Sequence, residues 1–310
     1  MIPTRRAGID VGGTKCLGVV LDEHDRVVVE QYVHTPKGAD AVIDTVVELA
    51  LSLGDVDTLG VGVPGLVTRS GVLRAAPNLF DVQELDVGGL VSGRLGRHVE
   101  IDNDATCAAA AEWRIGAGRG LDDFVMATLG TGIGGGVVAA GRLVRGANGF
   151  CGEIGHMVVD PSGPRCPCGG HGCWERYASG SGLGWLGRRA AEAGRLRDVL
   201  AAVGGDPGAV RGEHLTQAAL HGDSDAMVVI DEFARWVALG LANITNLLDP
   251  KAFVLGGGLA AAPDLFLPPI RQWFDHLLYS PDLRPHPALL FAELGPRAGA
   301  VGAALLADVH

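Results

Sequence analysis

Two stretches of this sequence share one pattern. Gly8-Ile9-Asp10-Val11-Gly12-Gly13-Thr14 and Ala127-Thr128-Leu129-Gly130-Thr131-Gly132 each carry an apolar strand into a glycine turn, and an apolar strand comes back. A pattern that restarts partway along a chain marks a repeated folding unit. The first copy continues with a Val-rich strand over 26–33, an apolar-periodic helix over 39–53 and a buried strand over 59–63. A strand over 99–101 then runs through Asp102-Asn103-Asp104 into an Ala-rich helix over 105–113. The second copy has strands over 124–129 and 137–140, a long helix over 223–248, and a strand over 252–255 ending in Gly256-Gly257-Gly258. A helix over 263–278, a strand over 289–292 and a helix over 297–307 complete it. The assignments rest on periods of 2 for strands and 3.6 for helices. Both halves follow a βββαβα plan, so the chain reads as an α/β protein of two domains. Gly116, Gly118 and Gly120 mark the boundary. We expect residues 1–115, completed by a C-terminal helix within 297–310, to form a smaller domain and residues 116–296 a larger one carrying a cysteine loop and a helical insert.

Composition narrows the function. A hydrophobic fraction of 47% is enough for two cores, and the net charge of −11 would repel the phosphates of a nucleic acid. No apolar run approaches the ~20 residues of a membrane span. The first residues enter a strand without an apolar signal region, which points to the cytoplasm. There, clustered cysteines bind metal more often than they pair.

The densest chemistry lies between His156 and Glu175. Cys166, Cys168 and Cys173 fall within eight residues of a Gly/Pro-rich loop. This crowding suits three thiolates on one tetrahedral zinc, with His156 as fourth ligand. The other ring nitrogen of His156 would remain available to a substrate hydroxyl. Glu153 and Glu175 place carboxylates beside it. Carboxylates, an amide and a histidine with little positive charge suit a neutral polyhydroxyl ligand such as a sugar.

The glycine turns suit phosphate. No P-loop is present, and Gly130-Thr-Gly132-Ile-Gly-Gly135 is followed by a strand rather than the helix a dinucleotide site requires. A glycine hairpin can still present backbone N–H groups to phosphate oxygens. Three such elements, ending at Gly256-Gly257-Gly258, could enclose a phosphate tail. Asp10 beside the first turn could hold Mg²⁺ through water. Of Asp102, Asn103 and Asp104, one suffices to cap the helix, leaving the others for a ligand.

Asp10-Val-Gly-Gly-Thr-Lys15, Leu129-Gly-Thr-Gly-Ile-Gly-Gly135, Glu153-Ile-Gly-His156, Cys166-Pro-Cys-Gly-Gly-His-Gly-Cys-Trp-Glu175 and Leu255-Gly-Gly-Gly-Leu259 occur in that order. Together they resemble the ROK family (repressors, open reading frames and sugar kinases), closest to its bacterial glucokinases. The resemblance implies two actin-like (ribonuclease H-like) domains with an interdomain cleft. It also implies ATP- and Mg²⁺-dependent phosphorylation of the 6-hydroxyl of glucose. By matching position, Asp104 would be the general base, and Asn78, Asn103, Asp104, Glu153, His156 and Glu175 would bind the sugar. His156, Cys166, Cys168 and Cys173 would hold a structural zinc. Asp10, Gly12, Gly13, Thr14, Lys15, Gly130, Thr131, Gly132 and Gly134 would face the phosphates, and Gly256 and Gly257 the nucleotide. A homodimer or dimer of dimers is expected. The chain departs from many relatives after Asn78, where Phe80-Asp81 replaces a Trp a few residues on. Rival readings are a kinase for another hexose or an N-acyl hexosamine, polyphosphate as donor, and a sugar-responsive regulator. The regulator would need a DNA-binding domain ahead of Asp10, where this sequence has nine residues.

Overall fold

The computed structural model describes residues 5–76 and 82–307. The chain opens with an antiparallel meander of β1 (Arg6–Val11), β2 (Lys15–Leu21) and β3 (Val27–His34). Helix α1 (Ala39–Ser52) follows, with Val42, Ile43, Val46, Leu49 and Ala50 as its buried stripe. That spacing is the 3.6-residue period of an amphipathic helix. Strand β4 (Thr58–Val63) returns parallel to β1. Next come a small antiparallel sheet of β5 (Leu66–Val67), β6 (Val72–Ala76) and β7 (Val82–Asp86), and helix α2 (Val87–Leu95). The sequence pattern did not show these four elements. Strand β8 (Glu100–Asn103) then lies parallel to β4 and leads into α3 (Asp104–Ile115).

The second pass repeats the plan with β9 (Phe124–Leu129), β10 (Ile133–Ala139) and β11 (Arg142–Val144). Helices α4 (Glu175–Ala178), α5 (Gly180–Glu192), α6 (Arg197–Ala202), α7 (Gly212–Leu220) and α8 (Ser224–Leu248) follow the cysteine loop. The chain then forms β12 (Ala252–Gly257), α9 (Pro263–Leu277), β13 (Ala288–Phe291) and α10 (Ala298–Leu306). The two large sheets have the orders β3-β2-β1-β4-β8 and β11-β10-β9-β12-β13. Position by position these are the same topology, so the repeat seen in the sequence is a repeat of the fold.

Two compact units emerge. One comprises Met1–Met126, Gly135–Gly152 and Ala292–His310; the other comprises Ala127–Gly134 and Glu153–Phe291. In the first, one face of the sheet packs Ile9, Val61 and Ile101 with the α1 stripe and with Val87 and Val91 of α2. The other face packs Leu17, Val19 and Leu21 with Ala111 of α3 and with Ala300, Val301, Ala304 and Leu305 of α10. Every residue of α10 is buried, as expected for a helix that is apolar all round. In the second unit, edge-to-face aromatic pairs Phe233–Phe266 and Phe253–Phe274 join α8, α9 and β12 at 5.8 and 6.0 Å. Among the described residues no helix is long and apolar enough to cross a membrane.

Candidate functional site

In the first unit the turn after β1 is held by its own backbone. Gly12 N–H donates to the Lys15 carbonyl at 3.0 Å, and the Thr35 hydroxyl donates to the Gly12 carbonyl at 2.7 Å. Gly13, Thr14 and Lys15 stand exposed around it. The Lys15 ammonium rests over the Tyr32 ring, 4.6 Å from its centre. Asp10 sits near the end of β1. Burial pushes its carboxyl up to about 7, the charge of Asp104 adds to this, and Lys15 opposes it.

The triplet after β8 divides its work. Asn103 is the cap of α3: its side-chain oxygen accepts from Thr106 N–H at 3.0 Å, and its amide donates to the Gly65 carbonyl at 3.1 Å. Asp102, a candidate cap on sequence alone, has a different role. One of its oxygens accepts from its neighbour Asn103 N–H at 2.8 Å and the other from Arg145 Nε at 2.7 Å. Asp104 is the first residue of the helix, with Oδ1 accepting from Ala105 N–H at 2.8 Å. Burial raises its pKa, against the lowering effect of hydrogen bonds from backbone N–H groups and Asn103.

In the second unit Gly130 forms the turn after β9. Its N–H donates to the Gly132 carbonyl at 3.0 Å, and its carbonyl accepts from Gly180 N–H, at the start of α5, at 2.7 Å. Gly134 N–H donates to Thr128 Oγ1 at 3.1 Å. Thr131 is exposed, Gly132 is half-buried, and Gly256 and Gly257 end β12, the first buried and the second exposed.

The cysteine loop brings together the four residues the spacing predicted. One ligand atom each from His156, Cys166, Cys168 and Cys173 lies within 4.8 Å of the others. Cys166 Sγ is 3.8 Å from His156 Nδ1, and Cys168 Sγ is 3.6 Å from Cys173 Sγ. Three thiols and an imidazole converging so closely could hold a metal ion, and the donor types are those zinc takes. His156 closes a short helical turn after Glu153, and its Nε2 lies 3.8 Å from a Glu153 carboxylate oxygen. Glu175, at the start of α4, has Oε1 accepting from Cys166 Sγ at 3.1 Å and lying 4.0 Å from His156 Nδ1. Its Oε2 accepts from Ile133 N–H at 3.4 Å, which links the cysteine loop to the glycine turn.

Aromatic packing holds this loop in place. Trp174 is fully buried and donates from Nε1 to the Trp236 carbonyl at 2.7 Å. Tyr177 stacks on Trp236 at 4.1 Å and donates to Asp160 Oδ2 at 2.7 Å. Sequence reasoning singled out neither these aromatics nor Arg145, because their partners are far away along the chain. Asn78, with Phe80 and Asp81, lies outside the described residues.

A profile described as "ROK family" matches residues 6–309. A glucokinase of Streptomyces coelicolor is 39% identical over 97% of this chain and 96% of its own length. A glucokinase of Thermotoga maritima is 33% identical over 86% of this chain and 85% of its own. Among solved structures, a ROK family glucokinase from Streptomyces griseus in complex with glucose and AMPPNP superposes with a TM-score of 0.88 and 39% identity, covering 99% of this chain and 100% of that one.

Proposed function

The chain belongs to the ROK family, and from that premise we infer that it is a glucokinase, transferring the γ-phosphoryl group of ATP to the 6-hydroxyl of D-glucose. Its fold is the two-domain actin-like fold of sugar kinases. The observation that carries the sugar reading is the setting of His156. Its Nδ1 faces the Cys166 thiol at 3.8 Å and the Glu175 carboxylate at 4.0 Å, while its Nε2 lies 3.8 Å from the Glu153 carboxylate, so both carboxylates are tied through the imidazole to that cluster.

Phosphoryl transfer asks a protein mainly for positioning and charge stabilisation. Asp104 accepts the proton of the sugar hydroxyl as that oxygen attacks the γ-phosphorus. Its placement at the N-terminus of α3 favours the charged form needed for this. Asn103, Glu153, His156 and Glu175, with Asn78, bind the sugar hydroxyls. The backbone N–H groups of Gly13 and Thr14 in the first turn and of Thr131 and Gly132 in the second face the phosphate tail, with Lys15 adding charge, and Gly256-Gly257 borders the nucleotide. Cys166, Cys168, Cys173 and His156 would hold a zinc ion, whose contribution is to fix the loop. Asp10 would meet Mg²⁺, which supplies positive charge to the phosphates. A kinase using ATP belongs in the cytoplasm, and we expect a homodimer or dimer of dimers.

A coupled ADP-release assay across a panel of sugars tests the reading. Glucose should be the best substrate, mannose or glucosamine weaker and galactose poor. A site that hydrogen-bonds each hydroxyl leaves buried partners unpaired when one is misplaced. The highest kcat/KM with N-acetylmannosamine would overturn the choice of sugar and leave the fold standing.

A further inference from the structure

We propose that Arg145 is a positioning residue for the base: through Asp102 it fixes the Asn103–Asp104 turn and ties that turn to the 145–152 segment that leads into Glu153. The proposal rests on Asp104 being the base.

Asp102 is a carboxylate with 7% exposure, and neither of its oxygens is idle. One accepts from Arg145 Nε, the other from Asn103 N–H. The hydrogen bond to Asn103 N–H fixes the backbone just before the base. The Asn103 side chain, bound to Thr106 N–H and to the Gly65 carbonyl, fixes it from the other side. Asp104 is therefore clamped between a cap and an ion pair, and the ion pair depends on one cation from a distant hairpin.

That cation is itself held. The Arg145 carbonyl accepts from Cys151 N–H at 3.1 Å, closing the segment on itself. The next carbonyl, of Gly146, accepts from Arg69 Nε at 3.0 Å and Nη2 at 2.5 Å. Gly149 has φ +103°, and a Cβ there would lie 2.4 Å from the Val67 carbonyl oxygen. The segment is thus laid tightly along residues 67–69 and anchored at Asp102. Its last residue, Gly152, immediately precedes Glu153. One ion pair couples the base to the segment that enters the sugar-binding sequence.

The two partners are unequal. The Arg145 side chain is 29% exposed and can take water if its partner is neutralised; the Asp102 side chain, 8% exposed, cannot. Removing the cation strands a buried carboxylate, whereas removing the carboxylate charge strands little. Burial already raises the Asp102 pKa, and Arg145 is the main influence opposing this.

The experiment measures kcat, KM for glucose and KM for ATP in Arg145→Met, Arg145→Lys, Asp102→Asn and the double variant Arg145→Met/Asp102→Asn. Arg145→Met should lower kcat by about 10-fold or more, the scale of a misplaced catalytic group, with KM for ATP within about twofold. Arg145→Lys should keep most of kcat, since the contact is a single N–H that an ammonium can replace. The double variant should recover to the level of Asp102→Asn, because Arg145 acts through Asp102. A kcat within about twofold of the parent in Arg145→Met overturns the proposal, as does Arg145→Lys no better than Arg145→Met, or a double variant whose loss is the product of the singles. Should Arg145→Met fail to fold, the double variant against Asp102→Asn decides: equal kcat supports the proposal and a further drop overturns it. Asp104→Asn alone tests the base; if it turns over normally, the base reading fails whatever Arg145 does.

Discussion

Replacing Gly240 by alanine should destabilise this protein, although the same change inside an exposed helix stabilises by roughly 0.8–1 kcal/mol. Gly240 lies well inside α8, a helix of 25 residues. A Cβ there would sit 2.0 Å from Trp174 Cε2 and 2.4 Å from both Cζ2 and Nε1. Ordinary contact begins near 3.4 Å, so the indole must retreat by more than an ångström. It has nowhere to go: Trp174 is fully buried, and its Nε1 is bonded to the Trp236 carbonyl on the same helix at 2.7 Å. Overpacking a dense core costs about 1–3 kcal/mol. Breaking the indole hydrogen bond in a buried place adds about 1–3 kcal/mol. Against the propensity gain, the net loss is about 1–5 kcal/mol, a fall in Tm on the order of 2–10 °C. Function should follow, because Trp174 stands between Cys173 and Glu175. Retreat of the ring moves the proposed zinc ligand Cys173 on one side and the proposed sugar-binding carboxylate of Glu175 on the other. Thermal unfolding, zinc stoichiometry and glucose KM should therefore shift together. A Gly240→Ala protein that melts at or above the parent temperature, with unchanged glucose KM, would refute the reasoning.

Asp104→Asn keeps the shape and removes the base, so kcat should fall ~10²–10⁴-fold while calorimetric glucose affinity changes much less; near-normal turnover would overturn the role. Because burial raises the Asp104 pKa, the base is lost as pH falls through a value above the ordinary carboxylate range, and the parent rate should decline on the acid side accordingly; an acid limb unchanged in the residual activity of Asp104→Asn would assign it to another group. Cys168→Ser should lose the roughly one zinc per chain that a tetrahedral structural site binds, together with most sugar affinity; a metal-free chain of normal activity contradicts this. Glu112, fully buried, accepts from Ala117, Glu293 and Leu294 N–H, so Glu112→Gln should turn an amide N–H₂ toward a donor and cost about 2–3 kcal/mol in urea unfolding; unchanged stability would show that the knot carries no weight.

The repeat was legible because its signal is local. Period-2 apolar stretches on either side of glycines name two strands and a turn, and the recurrence of β1–β2 as β9–β10 needed no tertiary knowledge. The convergence of three thiols and an imidazole was legible for the same reason: Cys166, Cys168 and Cys173 lie close together in sequence, and one short loop can bring them to a common point beside His156. The small sheet and α2 were not. Strand β5 is two residues long, and α2 begins Val87-Gly88-Gly89, which carries little helix propensity. What starts α2 is a side chain: Asp86 accepts from Gly89 N–H at 2.9 Å.

The role of Asp102 was hidden more deeply. Three consecutive residues could each cap α3, and composition does not rank them. Backbone direction decides: β8 delivers Asn103 at the cap position, with φ −68° and ψ 141°, so the residue before it is left to face the hairpin that brings Arg145. Gly240 is the same case. Within the helix it is only a poor helix former, and its reason is an indole 66 positions upstream. Both pairings are long-range, and each fixes a residue next to the chemistry rather than one that performs it. A sequence shows which groups can react when they stand close together in the chain. The groups that hold them still are chosen by the folded backbone, and here that choice falls on a buried ion pair on one side and a close helix–indole contact on the other.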